Sequence, residues 1–93
     1  MAVEPILSPL EILRRKLRFR AWHRGTREMD LLMGQFADEH LPDFIADELA
    51  QFAEMLSEND PDLYDWYCGI STPPANVLTS ALEKFLAHRR VAA

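Results

Sequence analysis

Apolar residues recur at helical spacing along most of this chain, and that periodicity leaves room for only one class of fold. Leu10, Leu13, Leu17 and Ala21 form one stripe, and Met29, Leu32, Met33 and Phe36 form a second at i, i+3, i+4, i+7. Alternating runs of β-branched residues, the mark of a half-buried strand, are missing. The chain therefore reads as all-α, a small five-helix bundle in a single domain over residues 1–93, ordered from about 8 to 88 with frayed ends.

Capping residues punctuate the pattern. Ser8 with Pro9 and Glu11 starts the first helix as a capping box. Thr26 caps a second helix, about Arg27 to His40, with Glu28 and Asp30 in its first turn, where carboxylates favour the positive helix end. Pro42 opens a third helix, to about Ser57, with Phe44, Ile45, Leu49, Phe52, Met55 and Leu56 on its apolar face. The short connection predicts that the second and third helices pack as antiparallel neighbours. Asp60 as N-cap and Pro61 at N1 begin the fourth helix, with Leu63, Trp66 and Tyr67 on one side and Gly69 ending it after Cys68. Thr72 and Pro73-Pro74 start the fifth, striped by Val77, Leu78, Ala81, Leu82, Phe85 and Leu86. His88, Arg89 and Arg90 complement its negative end. Ile12, Phe19 and Trp22 fall off the first stripe. Phe19 and Trp22 read as further core contacts, with an exposed aromatic at a partner surface as the alternative.

The charges are segregated. Arg14, Arg15, Lys16, Arg18, Arg20, Arg24 and Arg27 make seven positive charges with no acid among them. From Glu28 to Asp65 there are twelve acids and no Lys or Arg, and the net charge is −5. The acidic region and a pI near 5.0 disfavour nucleic acid as a partner. A small helical DNA-binding regulator acting through the first helix stays only as an alternative. No apolar run approaches the roughly 18 residues of a membrane span, so no membrane insertion is expected. Cys68 is the only cysteine, excludes an internal disulfide and reads as core-facing. Met1 to Ser8 carries Glu4 and no basic residue, unlike a secretory signal or transit peptide. A soluble cytoplasmic protein, monomeric when free, is expected, or a mitochondrial matrix one if eukaryotic.

Catalytic patterns are missing. His23, His40 and His88 are scattered and read as surface histidines, with no metal site. Neither a glycine-rich phosphate cradle nor a nucleophile elbow occurs. No residue reads as catalytic, and the chain does not read as an enzyme.

The segment Arg24-Gly25-Thr26-Arg27-Glu28-Met29-Asp30 joins the basic helix to the acidic one. Gly25 is one of three glycines and reads as the C′ residue of the first helix. Arg24 offers a planar guanidinium able to grip a carboxylate, and Glu28 sets a carboxylate beside it. A salt bridge from Arg24 or Arg27 to Glu28 is the local alternative, worth only about 0–1 kcal/mol when exposed.

Arg24-Gly25-x-x-Glu28-x-Asp30 resembles the RGxxE signature of SdhE-type succinate dehydrogenase assembly factors, and Asp60-Pro61-Asp62-Leu63-x-x-Trp66 resembles the second motif of that family. The likeness covers about Arg15 to Leu86. It departs where His23 replaces the basic residue often found before the motif arginine. The resemblance implies a chaperone that binds the flavoprotein subunit of succinate dehydrogenase or fumarate reductase. It would promote autocatalytic attachment of FAD to a histidine of that subunit, with FAD held by the partner and no cofactor of its own. It implies partner contact through Arg24, Gly25 and Glu28, with Asp30 supporting the loop. Arg18, Arg20, Arg27 and Trp22 are candidate docking support, and Asp60, Asp62 and Trp66 are structural. An enzyme-class alternative is that the chain binds FAD itself and uses Glu28 as a base for flavin transfer.

Overall fold

Side-chain caps set where most of the helices begin. The computed structural model describes residues 7–88, and the expected frayed ends and Arg89 and Arg90 lie outside them. Helix α1 is Pro9–Ala21, with Ser8 Oγ accepting the Glu11 N–H at 3.2 Å. Helix α2 is Arg27–His40, and Thr26 Oγ1 accepts the Met29 N–H at 3.3 Å. Helix α3 is Ala46–Met55 and has no side-chain cap; Asp47 and Glu48 stand in its first turn instead. Helix α4 is Asp60–Cys68 and α5 is Ser80–Ala87, capped by Asn59 and Thr79. Each such cap stabilises by about 1 kcal/mol. Among the described residues there are five α-helices and no strand, in one compact globule.

Three boundaries differ from the sequence expectation. Asn59, not Asp60, caps α4: its Oδ1 accepts the Asp62 N–H at 2.9 Å while its Nδ2 donates to the Asp62 carboxylate at 2.9 Å. That leaves the Asp60 side chain free of capping. Pro42 belongs to a 3-10 turn, Leu41–Asp43, and extended Phe44 and Ile45 delay the start of α3. Thr72 does not cap the fifth helix. Extended Pro74 leads into a single 3-10 turn, Ala75–Val77, and Thr79 takes the capping role.

Helix α1 packs on α2, α3 packs on α5 and also meets α1, and α4 leans on α5. Helix α3 packs mainly on α5 and α1 and not as the expected antiparallel neighbour of α2, because the extended link re-aims the chain after α2. Helices α2 and α3 themselves meet through the Phe36–Phe52 ring contact. Phe36 sits at the centre. Its ring lies 5.4 Å from Phe85, 5.7 Å from Phe52 and 6.1 Å from Phe44, so three other segments converge on α2. Burying a side chain of this size contributes roughly 2–3 kcal/mol. Leu17, Ala21, Leu32, Met33, Leu49, Leu63 and Leu82 complete the interior.

The off-stripe aromatics of α1 divide. The Trp22 ring lies flat against α2 at Gly34, where an added Cβ would meet it at 2.2 Å. Its Nε1 donates to Asp38 at 3.2 Å. Phe19 is 64% exposed, contrary to the core expectation, and stacks on His23 at 4.0 Å. Ile45 and Leu78 are exposed as well, having lost their places on helical stripes when α3 and α5 proved shorter. Among the described residues no helix is long and apolar enough to cross a membrane.

Candidate functional site: the corner between the first two helices

Helix α1 ends at Ala21 and α2 begins at Arg27, so the chain must turn between them. Trp22 is the C-cap, so Gly25 lies beyond the expected C′ position. It takes φ +116, a backbone conformation that side-chain-bearing residues rarely adopt, and nothing stands within 4 Å of where its Cβ would be. The turn is closed from α2. Asp30 Oδ1 accepts the backbone N–H groups of both Arg24 and Gly25, the latter at 3.3 Å. One carboxylate oxygen of Asp30 thus fastens the loop to the first turn of its own helix.

Arg24 reaches the opposite way from its expected course. Its guanidinium turns into the domain, toward the corner between α3 and α4. Nε donates to Asp60 Oδ1 at 2.8 Å, Nη1 to the Leu56 carbonyl at 2.6 Å, and Nη2 to the Glu58 carbonyl at 2.8 Å. The side chain is only 11% exposed and that of Asp60 20%. Leu56 is the C-cap of α3, so the guanidinium serves carbonyls that a helix end leaves without intrahelical partners. Asp60 offsets its charge. The ion pair of Arg24 is thus made with Asp60, not with Glu28.

The outer surface of the corner belongs to Gly25, Thr26, Arg27 and Glu28, all exposed. Across from it on α4, Tyr64 feels the charge of Glu28 and a hydrogen bond with Cys68 one turn on. The Tyr64 phenol is held above its ordinary value of 10.0, first by that hydrogen bond, then by the charge on Cys68 and then by Glu28. Cys68 is exposed, not core-facing as the sequence suggested. Tyr64, exposed with Cys68 on α4, is therefore electrostatically linked to the motif glutamate, a link that sequence reasoning missed. The available signal was the i, i+4 spacing of Tyr64 and Cys68 on a helix beginning with the second motif.

The other candidates scatter around this corner. Arg20 and Arg27 are exposed. Arg18 pairs with Asp38 at 2.6 Å, sharing that carboxylate with Trp22, so both tie α1 to α2. Trp66 packs on the core from α4, and Asp62 reciprocates the Asn59 cap. The histidines are not all scattered surface groups: His88 is 8% exposed and joins Glu39 and His40 at the far end of α2.

A small all-α globule whose two charged motifs are fastened to each other is the class of protein this anatomy defines. The family model described as "Flavinator of succinate dehydrogenase" matches residues 15–89, and the chain belongs to that family. It is 37% identical over 78 residues to the FAD assembly factor SdhE of Acetobacter pasteurianus, covering 84% of this chain and 72% of that protein. It is 35% identical over 75 residues to the SdhE of Acinetobacter baylyi, with 81% and 87% covered. It is also 34% identical over 83 residues to the mitochondrial succinate dehydrogenase assembly factor 2 of Drosophila grimshawi. That alignment takes in 87% of this chain, which spans only 56% of the fly protein.

Proposed function

We propose that this protein binds the flavoprotein subunit of succinate dehydrogenase, or of fumarate reductase, and promotes covalent attachment of FAD to that subunit. It acts by positioning and has no reaction or cofactor of its own. The observation that carries the reading is the Gly25–Glu28 edge, exposed on a corner braced from within by Arg24 and Asp60 in a member of the flavinator family. Gly25 lets a foreign backbone approach closely, and Glu28 presents a carboxylate to the partner. Arg24 holds the edge in shape instead of reaching across the interface. A rigid edge raises the partner's reacting groups toward a near-attack arrangement without supplying chemistry. The exposed cations Arg15, Lys16, Arg20 and Arg27 steer the approach, so added salt slows association. The setting is the bacterial cytoplasm, or the matrix in a eukaryote.

Direct FAD binding by this chain has less support. A groove of about 550 Å³ is lined by Glu11, Arg14, Arg15, Arg18 and Asp38. Arg14 there is engaged with the Leu41 and Phe44 carbonyls and Arg18 with Asp38, and two carboxylates would face the phosphates.

The test uses purified flavoprotein subunit lacking covalent flavin, FAD and this protein, read by flavin fluorescence in a denaturing gel. Glu28→Ala should stay within about 0.5 kcal/mol of the parent in stability, as an exposed substitution does, yet leave the flavin non-covalent. Undiminished covalent flavin with Glu28→Ala would overturn the reading. Tight FAD binding by the chain alone would favour the direct-transfer alternative.

A further inference from the structure

We propose that Glu39, His40 and His88 bind one divalent transition-metal ion of the zinc type, joining the end of α2 to the end of α5. One ligand atom from each residue lies within 4.8 Å of the other two. His88 Nδ1 stands 3.4 Å from Glu39 Oε2. That separation is long for an N–H···O hydrogen bond. It matches the edge, about 3.4 Å, of a tetrahedron built on bonds of about 2.1 Å. The two histidine rings meet at 83° with centroids 5.6 Å apart. Both rest on Phe36, His40 stacked at 4.5 Å and His88 edge-on at 5.5 Å. The imidazoles are thus held by the core, while the exposed Glu39 is free to adjust.

Two imidazoles and a carboxylate make a donor set that suits zinc, nickel or copper, whereas calcium and magnesium prefer oxygen throughout. Three protein ligands leave one tetrahedral position for water. The cluster stands about 17 Å along α2 from Glu28, at a rise of 1.5 Å per residue, so the ion would brace the scaffold without touching the docking edge.

The experiment titrates the full chain, without a histidine tag, with Zn²⁺ by calorimetry and with Co²⁺ by visible absorbance. One ion per chain, a Kd in the micromolar range and the intense bands of tetrahedral Co²⁺ are expected. At a hundredfold excess of Zn²⁺ over Kd the melting temperature should rise on the order of 10 °C. Glu39→Gln and His40→Gln should each weaken binding at least about tenfold. Glu39→Gln decides the matter, because its exposed side chain leaves the fold intact even where a change at buried His88 does not. Absence of binding, affinity unchanged in Glu39→Gln, or loss of binding in Cys68→Ser or His23→Gln would overturn the assignment.

Discussion

Two guanidinium groups bind backbone carbonyls near opposite ends of α2. Arg14 donates to Leu41 at 3.1 Å and Phe44 at 2.9 Å, fastening α1 to the turn that follows α2. Arg24 donates to Leu56 and Glu58, fastening the loop before α2 to the corner between α3 and α4. Among the described residues, only Arg24 of the two also holds a carboxylate, that of Asp60. Only the Arg24 corner carries a glycine at positive φ and an exposed motif glutamate above it. The comparison teaches that an arginine on helix-end carbonyls is a general brace, and that a site needs something further. Here the additions are an anion that fixes the guanidinium and an outer edge with little side-chain bulk at its turn.

The first way to break this comparison is to remove each arginine. Arg24→Ala leaves Asp60 with little solvent and no cation, so it should destabilise by about 3–4 kcal/mol. On a domain of this size that lowers the melting temperature by roughly 15–25 °C. Asp60→Ala added to it should cost much less than Asp60→Ala alone, as expected for one coupled pair. Arg14→Ala removes two charge-assisted bonds but strands no partner charge, and should cost about 1.5–2 kcal/mol. At a temperature where it is folded, Arg14→Ala should support normal covalent flavin yield. Equal melting losses from the two substitutions would mean that Asp60 adds nothing to the brace.

The contrast also explains what was legible in the sequence. Caps at Ser8 and Thr26 fixed α1 and α2 because a capping oxygen acts within three residues, a range that sequence displays. The core of α2 followed from spacing alone. The Arg24–Asp60 pair did not, because its partners lie 36 residues apart and Asp60 had a plausible local use as a cap. Asn59, one residue earlier, took that use and released Asp60 for the long-range contact. The two motifs could be read as separate signatures, but not as the halves of one joint. Phe19, Cys68 and His88 were misplaced for the same reason. Residue type sets an average burial, whereas the actual burial depends on where the neighbouring helices fall.

Gly25 sharpens the comparison by separating backbone strain from docking. Gly25→Ala forces a side-chain-bearing residue to φ +116 and should cost about 1–2 kcal/mol. Gly25→Trp should cost about the same in thermal melts, because the space around the Cβ position is open. Covalent flavin yield should fall far more for Trp than for Ala. If the two variants lose yield equally, the glycine serves the turn alone and the close-approach role is wrong.

The smallest effect lies in the titration of Tyr64, which reports on the Arg24 corner and has no counterpart beside Arg14. Its phenol holds its proton more tightly than an ordinary tyrosine, because of its hydrogen bond with Cys68 and because negative charge at Cys68 and Glu28 disfavours a phenolate. The sign follows from linkage. A folded-state value raised above 10.0 means that the folded form binds the proton better, so this contribution is present below pH 10 and is lost as the pH rises through the folded value. Alkaline titration by ultraviolet difference absorbance should therefore show Tyr64 ionising later than a free phenol. Cys68→Ala should bring its midpoint down furthest, since the thiol supplies the largest share of the shift, and Glu28→Gln should bring it down less. A midpoint that does not move in Glu28→Gln would mean that the glutamate side chain points away from α4, and the joint surface of Glu28 and Tyr64 would have to be redrawn around Gly25 alone.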